Sequence, residues 1–415
     1  MPATLSTDRP LVSFIVPCYK LAHLLAECVH SILGQTYRHI DVLIMDDCSP
    51  DHTRKVATSF QDSRVTYVRN VPNLGHLRNY NKGIELSRGK YVWLISADDR
   101  LRCPWVLERY VELMESHPEV GYVFCPGVGL QGGVETGVLD SYYYGAADRI
   151  VDGRDFIATV LRNGGGLASP SVMVRRDCYQ NISMFPLDMP HQGDLYLWFA
   201  WALEYDVAYL AEPMVNYRLH DLNMMKELMS RVPEVVFADE VNVLWRTKRR
   251  AEEKGYWSLA RQLEDRVTRK YANAASLSVP AHESSNWPIG VNDCVQAMRN
   301  NAVSVAEHRR LLGQFYAHLG DKQWQHGLFP KARRSYVRAL TQGWQVPGVW
   351  LKLLLASMGT TGVVLRQLVK RLVTLWQGTR SRRVTVALKS SYTESGKAES
   401  SNGHGHPETA VGVES

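Results

Sequence analysis

Paired cysteines are the first thing missing from this chain. Its 415 residues include seven cysteines, at positions 18, 28, 48, 103, 125, 178 and 294, an odd number without CxxC spacing. The pattern excludes a disulfide framework and a cysteine-built zinc site, and free thiols scattered through apolar runs fit a reducing compartment. No basic segment followed by an apolar one opens the chain, so a secretory signal is not legible. No run reaches the roughly 18 apolar residues of a membrane-spanning helix. A cytoplasmic location is the expectation from these absences. The triple glycine Gly164-Gly165-Gly166 lacks both the GxGxxG pattern and a following Lys-Ser/Thr, which excludes dinucleotide and ATP binding as primary functions. It reads as a loop over a ligand or as a plain linker. Acidic residues are absent between Lys331 and Lys389, a stretch with twelve Lys or Arg. With a formal net charge of +6, the rest of the chain therefore sums to −6. That asymmetry predicts a C-terminal region facing an anionic surface.

What is present is the patterning of a globular protein, 45% hydrophobic and 22% charged, long enough for two domains. Short apolar runs at residues 11–16, 40–45, 65–68 and 91–95 read as buried strands. Apolar positions 21, 24, 25, 28 and 32, and then Leu77, Tyr80 and Ile84, recur at helical spacing between them. Strands alternating with helices predict a mostly parallel sheet covered on both faces, with ligands bound at the carboxyl ends of the strands. Polar residues stand there: Tyr19 after the first strand, Asp46-Asp47 after the second, Asp98-Asp99 after the fourth. Residues 126–168, rich in Gly and Tyr, read as loops forming an acceptor-side insertion. Residues 171–174 and 207–210 read as strands, 194–205 as a helix, and 213–220 as a segment closing the domain.

Beyond residue 222 the pattern turns helical. Tyr316, Leu319, Gly320, Ala332, Tyr336 and Ala339 fit one tetratricopeptide-type hairpin, too few repeats for a solenoid. Leu365, Leu368, Val369, Leu372, Leu375 and Trp376 form an apolar face beside Arg366, Lys370 and Arg371. Such a stretch suits an anionic membrane surface. It offers no recognisable nucleic-acid module. The expected division is an extension over 1–10, a catalytic domain over 11–222, a helical region over 223–378 and a disordered tail over 379–415.

Two adjacent carboxylates at a strand end repel each other unless something intervenes. For Asp98-Asp99 a hard divalent cation, Mg or Mn, would remove that cost and also bind phosphate oxygens; a helix N-cap is the competing explanation. Asp46-Asp47 admits a nucleobase edge or a turn. Trp198 and Trp201, three apart on a helix, fit core better than a sugar platform.

Taken together, Val16-Pro17-Cys18-Tyr19, Ile44-Met45-Asp46-Asp47-Cys48-Ser49, Asn73-Leu74-Gly75-His76-Leu77-Arg78-Asn79, Ser96-Ala97-Asp98-Asp99, Gly193-Asp194 with Leu197-Trp198, and Tyr217-Arg218-Leu219-His220 resemble family 2 inverting glycosyltransferases of the GT-A fold. The likeness covers residues 10–222 and rests on six motifs in order. Ser96 stands where many members have Asp, and Gly193 where Glu often precedes the catalytic Asp. The resemblance implies that Pro17 and Tyr19 line a nucleobase pocket, that Asp47 contacts the base, and that Arg78 lies near base or diphosphate. It implies that Asp98 holds the ribose, Asp99 ligates a Mn or Mg ion, His220 lies by the metal or diphosphate, and Asp194 is the general base. His220 as a turn cap and Arg218 as a structural ion pair are the alternatives. The implied partners are a nucleoside-diphosphate sugar and a saccharide or lipid-linked saccharide acceptor, in cell-surface or exopolysaccharide synthesis. The competing class is a non-catalytic scaffold that binds nucleotide sugar and recruits partners through its helices. A nucleotidyltransferase is disfavoured, since Pro17-Cys18-Tyr19-Lys20 is not a Gly-rich basic loop.

Overall fold

The computed structural model describes residues 9–139, 144–220, 233–277, 289–342, 348–365 and 367. The basic amphipathic stretch from Leu368 onward and the tail over 379–415 lie outside them. Within the described residues no helix is long and apolar enough to cross a membrane, and all seven cysteines are free.

The first four strands, β1 (Val12–Cys18), β2 (Ile40–Asp46), β3 (Val65–Arg69) and β4 (Tyr91–Leu94), are parallel in the order β3-β2-β1-β4. Every residue of β1 and β2 is buried, which is why these strands read as unbroken apolar runs rather than alternating ones. Helices α1 (Ala22–Leu33), α2 (Thr53–Ala57) and α3 (His76–Leu86) make the crossovers. After β5 (Arg100–Leu101) and α4 (Val106–Ser116), β6 (Val120–Phe124) continues the sheet. Between β4 and β6 lies β10 (Met173–Arg175), antiparallel to both. Beyond β6 stand β11 (Asp206–Tyr209), parallel, and β9 (Arg149–Val151) at the edge. The eight-stranded sheet is thus mixed α/β and mostly parallel, as expected.

The segment 126–168 is not the set of loops that its composition suggested. It holds a hairpin of β7 (Gly127–Gln131) and β8 (Val134–Val138), the edge strand β9, and α5 (Gly153–Asn163). The hairpin turns at Gly132-Gly133, both at positive φ, the chemistry of a two-residue turn. Helix α5 starts at an Asp152 cap whose side chain accepts from the Arg154 N–H. A second sheet, β5-β12-β7-β8, includes β12 (Val215–Arg218), so the closing segment at 213–220 is itself a strand.

The core is aromatic where the later site is built. Trp93 is fully buried and stacks between Phe14, at 5.4 Å, and Tyr110, at 4.7 Å. Its indole N–H donates to the Pro170 carbonyl at 2.8 Å, and the Tyr110 hydroxyl donates to that of Ser171 at 3.1 Å. These bonds pin the 3-10 turn Ser169–Ser171 to the sheet. After it come α6 (Arg176–Asn181) and α7 (Gly193–Ala202), in which Trp198 and Trp201 are buried, core residues as expected.

Helices follow: α8 (Pro233–Glu253), α9 (Trp257–Leu277), α10 (Val291–Asn301), α11 (Val305–Gln325), α12 (Phe329–Thr341) and α13 (Val349–Ser357). The chain divides into two compact units, residues 1–315 and 316–415. The sequence placed the change to helices near residue 222; the described helices resume at Pro233, and α8 to α10 belong to the same unit as the sheet. In the second unit the expected hairpin is present. Gly320 gives it closeness, since a Cβ there would come within 2.5 Å of the Tyr336 ring. Ala317, Trp324, Ala332 and Ala339 complete that core.

Replacing Trp93 by Ala is expected to cost about 3–5 kcal/mol and to lower the calorimetric melting temperature. Trp93→Phe keeps a ring between Phe14 and Tyr110 and is expected to cost less.

Candidate active site

The strand ends at the carboxyl edge of the sheet are held together by buried carboxylates. Asp46, fully buried, accepts from the Ser49 N–H at 2.8 Å, the Tyr67 hydroxyl at 2.6 Å and the Arg69 guanidinium at 2.7 Å. It fastens β2 to β3. Asp47 faces the other way. Its carboxylate accepts from the N–H groups of Leu74 and Gly75, at 2.8 and 2.9 Å, and from the Asn70 amide at 2.9 Å. Gly75 has φ 81°, a conformation that favours glycine, and it directly precedes α3. Asn79 of that helix donates to the Met45 carbonyl at 3.0 Å and accepts from Asn70 at 2.8 Å, while Lys82 donates to Asn70. The Asn73-to-Asn79 motif is therefore a clamp that sets α3 against the end of β2. Asp47, expected to contact a base, also holds that clamp, with two donors on Oδ1 and one on Oδ2. Pro17 is buried within β1, Tyr19 is 45% exposed just beyond it, and Arg78 is exposed on α3.

The first two turns of α3 form one wall of a cavity of about 210 Å³, with His76, Leu77 and Tyr80 facing inward. His76 bonds the Pro190 carbonyl at 3.0 Å through Nε2. Because a carbonyl only accepts, that nitrogen carries the proton. Burial holds the His76 pKa below its ordinary value, which favours the neutral ring. Tyr80 packs edge-on to His76 and to Phe185, and Asn81 exchanges two hydrogen bonds with the Phe185 backbone.

The opposite side is acidic. Asp98 and Asp99 follow β4 and line the cavity. One Asp98 oxygen lies 2.9 Å from His220 Nε2, while the other is buried without a partner. Asp99 is buried and accepts from the Arg218 N–H at 2.9 Å. Burial first, and then the neighbouring Asp98 charge, push the Asp99 pKa well above the carboxylate range. The Arg218 guanidinium donates to the Asp98 carbonyl and to Glu27, at 2.6 Å each, and Glu27 also receives Arg100 at 2.6 Å. Arg218 is thus the structural ion pair weighed from the sequence, and it joins β12 to α1 and the acidic turn. His220 does reach the acidic pair, through Asp98.

Asp194 lines the same cavity, in the first turn of α7. Its oxygens accept from the Ser169 hydroxyl at 2.8 Å and from the Leu195 N–H at 2.7 Å. Burial raises its pKa, and the Ser169 bond opposes the rise. The start of α7 is tied from the helical region: buried Asp239 of α8 accepts from the N–H groups of His191, at 2.6 Å, and Gln192, at 3.2 Å.

The structure therefore brings Asp98, Asp99, Asp194 and Arg218 to one cavity, with His220 beside Asp98, and groups Pro17, Tyr19 and Asp47 at the ends of β1 and β2. Ser169, Phe185 and Asp239 carry no signal in the sequence, while His76 reads there only as part of the Asn73-to-Asn79 motif and Tyr80 as part of a helical face. No short motif marks the first three; only the folded chain brings Ser169 to Asp194, Phe185 to the cavity and Asp239 to the backbone of His191 and Gln192. A larger cavity of about 580 Å³ against α5, lined by Phe124, Tyr144 and Asp155 among others, contains none of these carboxylates.

Residues 13–177 match the family model described as Glycosyl transferase family 2. An uncharacterized glycosyltransferase of Rickettsia typhi is 25% identical over 234 residues, 55% of this chain and 70% of that one. TuaG of Bacillus subtilis, named for teichuronic acid biosynthesis, is 35% identical over 108 residues, 26% of this chain and 42% of its own length. Among solved structures, residues 1–349 of Staphylococcus aureus TarS in complex with UDP-GlcNAc superimpose with a TM-score of 0.54 at 17% identity, covering 76% of this chain and 92% of that one; this likeness speaks to fold. With the family match lying across the strands whose ends carry Asp46-Asp47 and Asp98-Asp99, residues 13–177 form a family 2 glycosyltransferase domain, and the fold is GT-A.

Proposed function

We propose that this domain transfers a sugar, with inversion at the anomeric carbon, from a nucleoside-diphosphate sugar to a hydroxyl of a saccharide or lipid-linked saccharide acceptor in cell-surface glycan assembly. The observation that carries the proposal is the shared cavity: the acidic pair Asp98-Asp99 and the isolated carboxylate Asp194 line it together. A scaffold has no use for either. Both Asp99 and Asp194 are buried at a cost that their raised pKa values record.

The bond between the acceptor oxygen and the anomeric carbon forms as the bond to the diphosphate oxygen breaks. Asp194 takes the hydroxyl proton. Its raised pKa makes it a stronger base than an exposed carboxylate, and the Ser169 and Leu195 bonds fix its oxygens. On the opposite side, the unpartnered Asp98 oxygen and the desolvated Asp99 carboxylate fit a hard cation. Among the described residues no three His, Cys, Asp or Glu side chains converge as a metal cage. Mg²⁺ or Mn²⁺ held through one or two carboxylates, with phosphate oxygens and water completing its shell, agrees with that. Such an ion would offset the charge gathering on the departing diphosphate. In this reading Asp99 is the ligand, Asp98 serves ribose or metal, His220 orients Asp98, and Pro17, Tyr19 and the Asp47 clamp shape the base pocket, with Arg78 beside the diphosphate. A uridine nucleotide is the first donor to test, since a fold neighbour carries UDP-GlcNAc. For a lipid-linked acceptor the enzyme would work at the cytoplasmic face of a membrane, held by residues 365–376.

Asp194→Asn is expected to keep donor affinity, measured by calorimetry, and to lower turnover by about 10²–10⁴-fold; turnover within tenfold of the parent would refute the base. Asp98→Asn and Asp99→Asn are each expected to weaken Mn²⁺-dependent binding of UDP-GlcNAc while leaving the melting temperature at or above that of the parent. The raised Asp194 pKa also fixes a sign. The native carboxyl binds its proton more tightly than the unfolded one, whose pKa is about 4. The parent should therefore lose stability relative to Asp194→Asn as pH rises from about 4 through the raised native value, and no further above it. Melting curves of both proteins across pH 4–8 measure this, and a constant difference would contradict it.

A further inference from the structure

Away from the catalytic cavity, a concave groove of about 760 Å³ lies between the C-terminal part of α5 and the first turns of α9. Its lining includes Arg162, Arg261, Arg266 and Arg269, against the single carboxylate Asp265. Trp257, Arg261, Asp265 and Arg269 follow one another at i, i+4 intervals, so one stripe of α9 faces the groove. Asp265 is paired with Arg269 at 2.9 Å. Arg162 donates to the Thr159 hydroxyl at 3.0 Å, and Arg261 and Arg266 form no ion pair with a described residue. Trp257 is 61% exposed. Guanidinium groups gathered on one surface repel, and an exposed indole forgoes the burial that would stabilise the fold. Neither feature helps the chain to fold, and both suit a ligand bearing anionic groups and apolar ring faces.

We propose that this groove holds a polyanionic glycan, an acceptor polymer whose carboxylate or phosphate groups pair with the arginines while a sugar ring stacks on Trp257. The proposal rests on the reading of the chain as a glycosyltransferase acting on a saccharide, and it names the acceptor's charge. The guanidinium fork matches both anions bidentately, and the indole supplies a broad apolar face with few rotatable bonds. A concave surface suits a chain lying along it. A membrane-seated face needs several protruding apolar side chains, and Trp257 is the one exposed large hydrophobic residue of this lining.

Trp257 is one of eleven tryptophans, so its own signal is the part of the fluorescence change that Trp257→Ala removes. The full chain would be titrated with galacturonate oligomers, inorganic polyphosphate, dextran of matching length, and vesicles of phosphatidylcholine and phosphatidylglycerol, following tryptophan fluorescence and calorimetric heat. The expected result is binding of a polyanion that weakens with salt, no binding of dextran, and affinity lowered about tenfold or more in Arg261→Glu/Arg266→Glu. Trp257→Ala, at an exposed site, is expected to lower the calorimetric affinity too, and it carries the test if the double variant melts early. Unchanged polyanion affinity in both variants would overturn the proposal, as would failure of the parent to bind either polyanion. Vesicle binding lost in the variants, without polyanion binding, would overturn it in favour of a membrane. UDP-GlcNAc affinity is measured alongside and should not change in either variant. Its absence in the parent would count against the donor reading and leave the polyanion result standing.

Discussion

A carboxylate withdrawn from water has to be matched by donors, by opposite charge or by a proton. Five of them stand at the carboxyl edge of this sheet, and each is matched differently. Asp46 has a full set of donors and an arginine, and its work is to join two strands. Asp47 is equally satisfied, by the backbone that leads into α3. Asp194 has two donors and a raised pKa. Asp98 and Asp99 are left short, one with a buried oxygen unpartnered and the other tilted toward its protonated form. The gradient from satisfied to unsatisfied runs from the carboxylates that join strands to those proposed for the chemistry.

Much of this was legible in the sequence because parallel strands buried on both faces announce themselves as apolar runs, and polar residues at their ends stand out. Asp98, Asp99 and Asp194 were found that way and by resemblance, and they share a cavity. Asp47 shows the limit of such reading. Its position marks it as important, but nothing in Asp-Asp-Cys-Ser tells that its oxygens also accept from Leu74, Gly75 and Asn70, a pairing set by the fold. Ser169 is similar. It gains its place because Trp93 and Tyr110, on other elements, hold the turn that carries it.

The segment 126–168 hides its strands and helix for a different reason. Its strands are short, and β8 is exposed along its length, so no strand alternation emerges. The signals were local instead: Gly132-Gly133 between Leu130 and Val134, and the Asp152 cap ahead of Phe156, Ile157, Val160 and Leu161. Turn chemistry marks the hairpin, and the helical spacing of Phe156, Ile157, Val160 and Leu161 marks α5. In the second unit the reverse held, since Gly320 and Tyr336 are spaced so that close approach of α11 and α12 was visible as a small residue opposite a large one.

Helix α7 is buried almost all round, with Tyr196, Trp198, Phe199 and Trp201 locked into the core, and its N-terminal end is tied down by Asp239. In the proposed reaction Asp194, as proton acceptor mounted on such a rigid post, has little freedom to follow its substrate. Regioselectivity then falls to the incoming sugar: of several similar hydroxyls, the one that reacts is the one brought to a fixed point, and the geometry of delivery, more than the reactivity of the alcohol, decides the linkage.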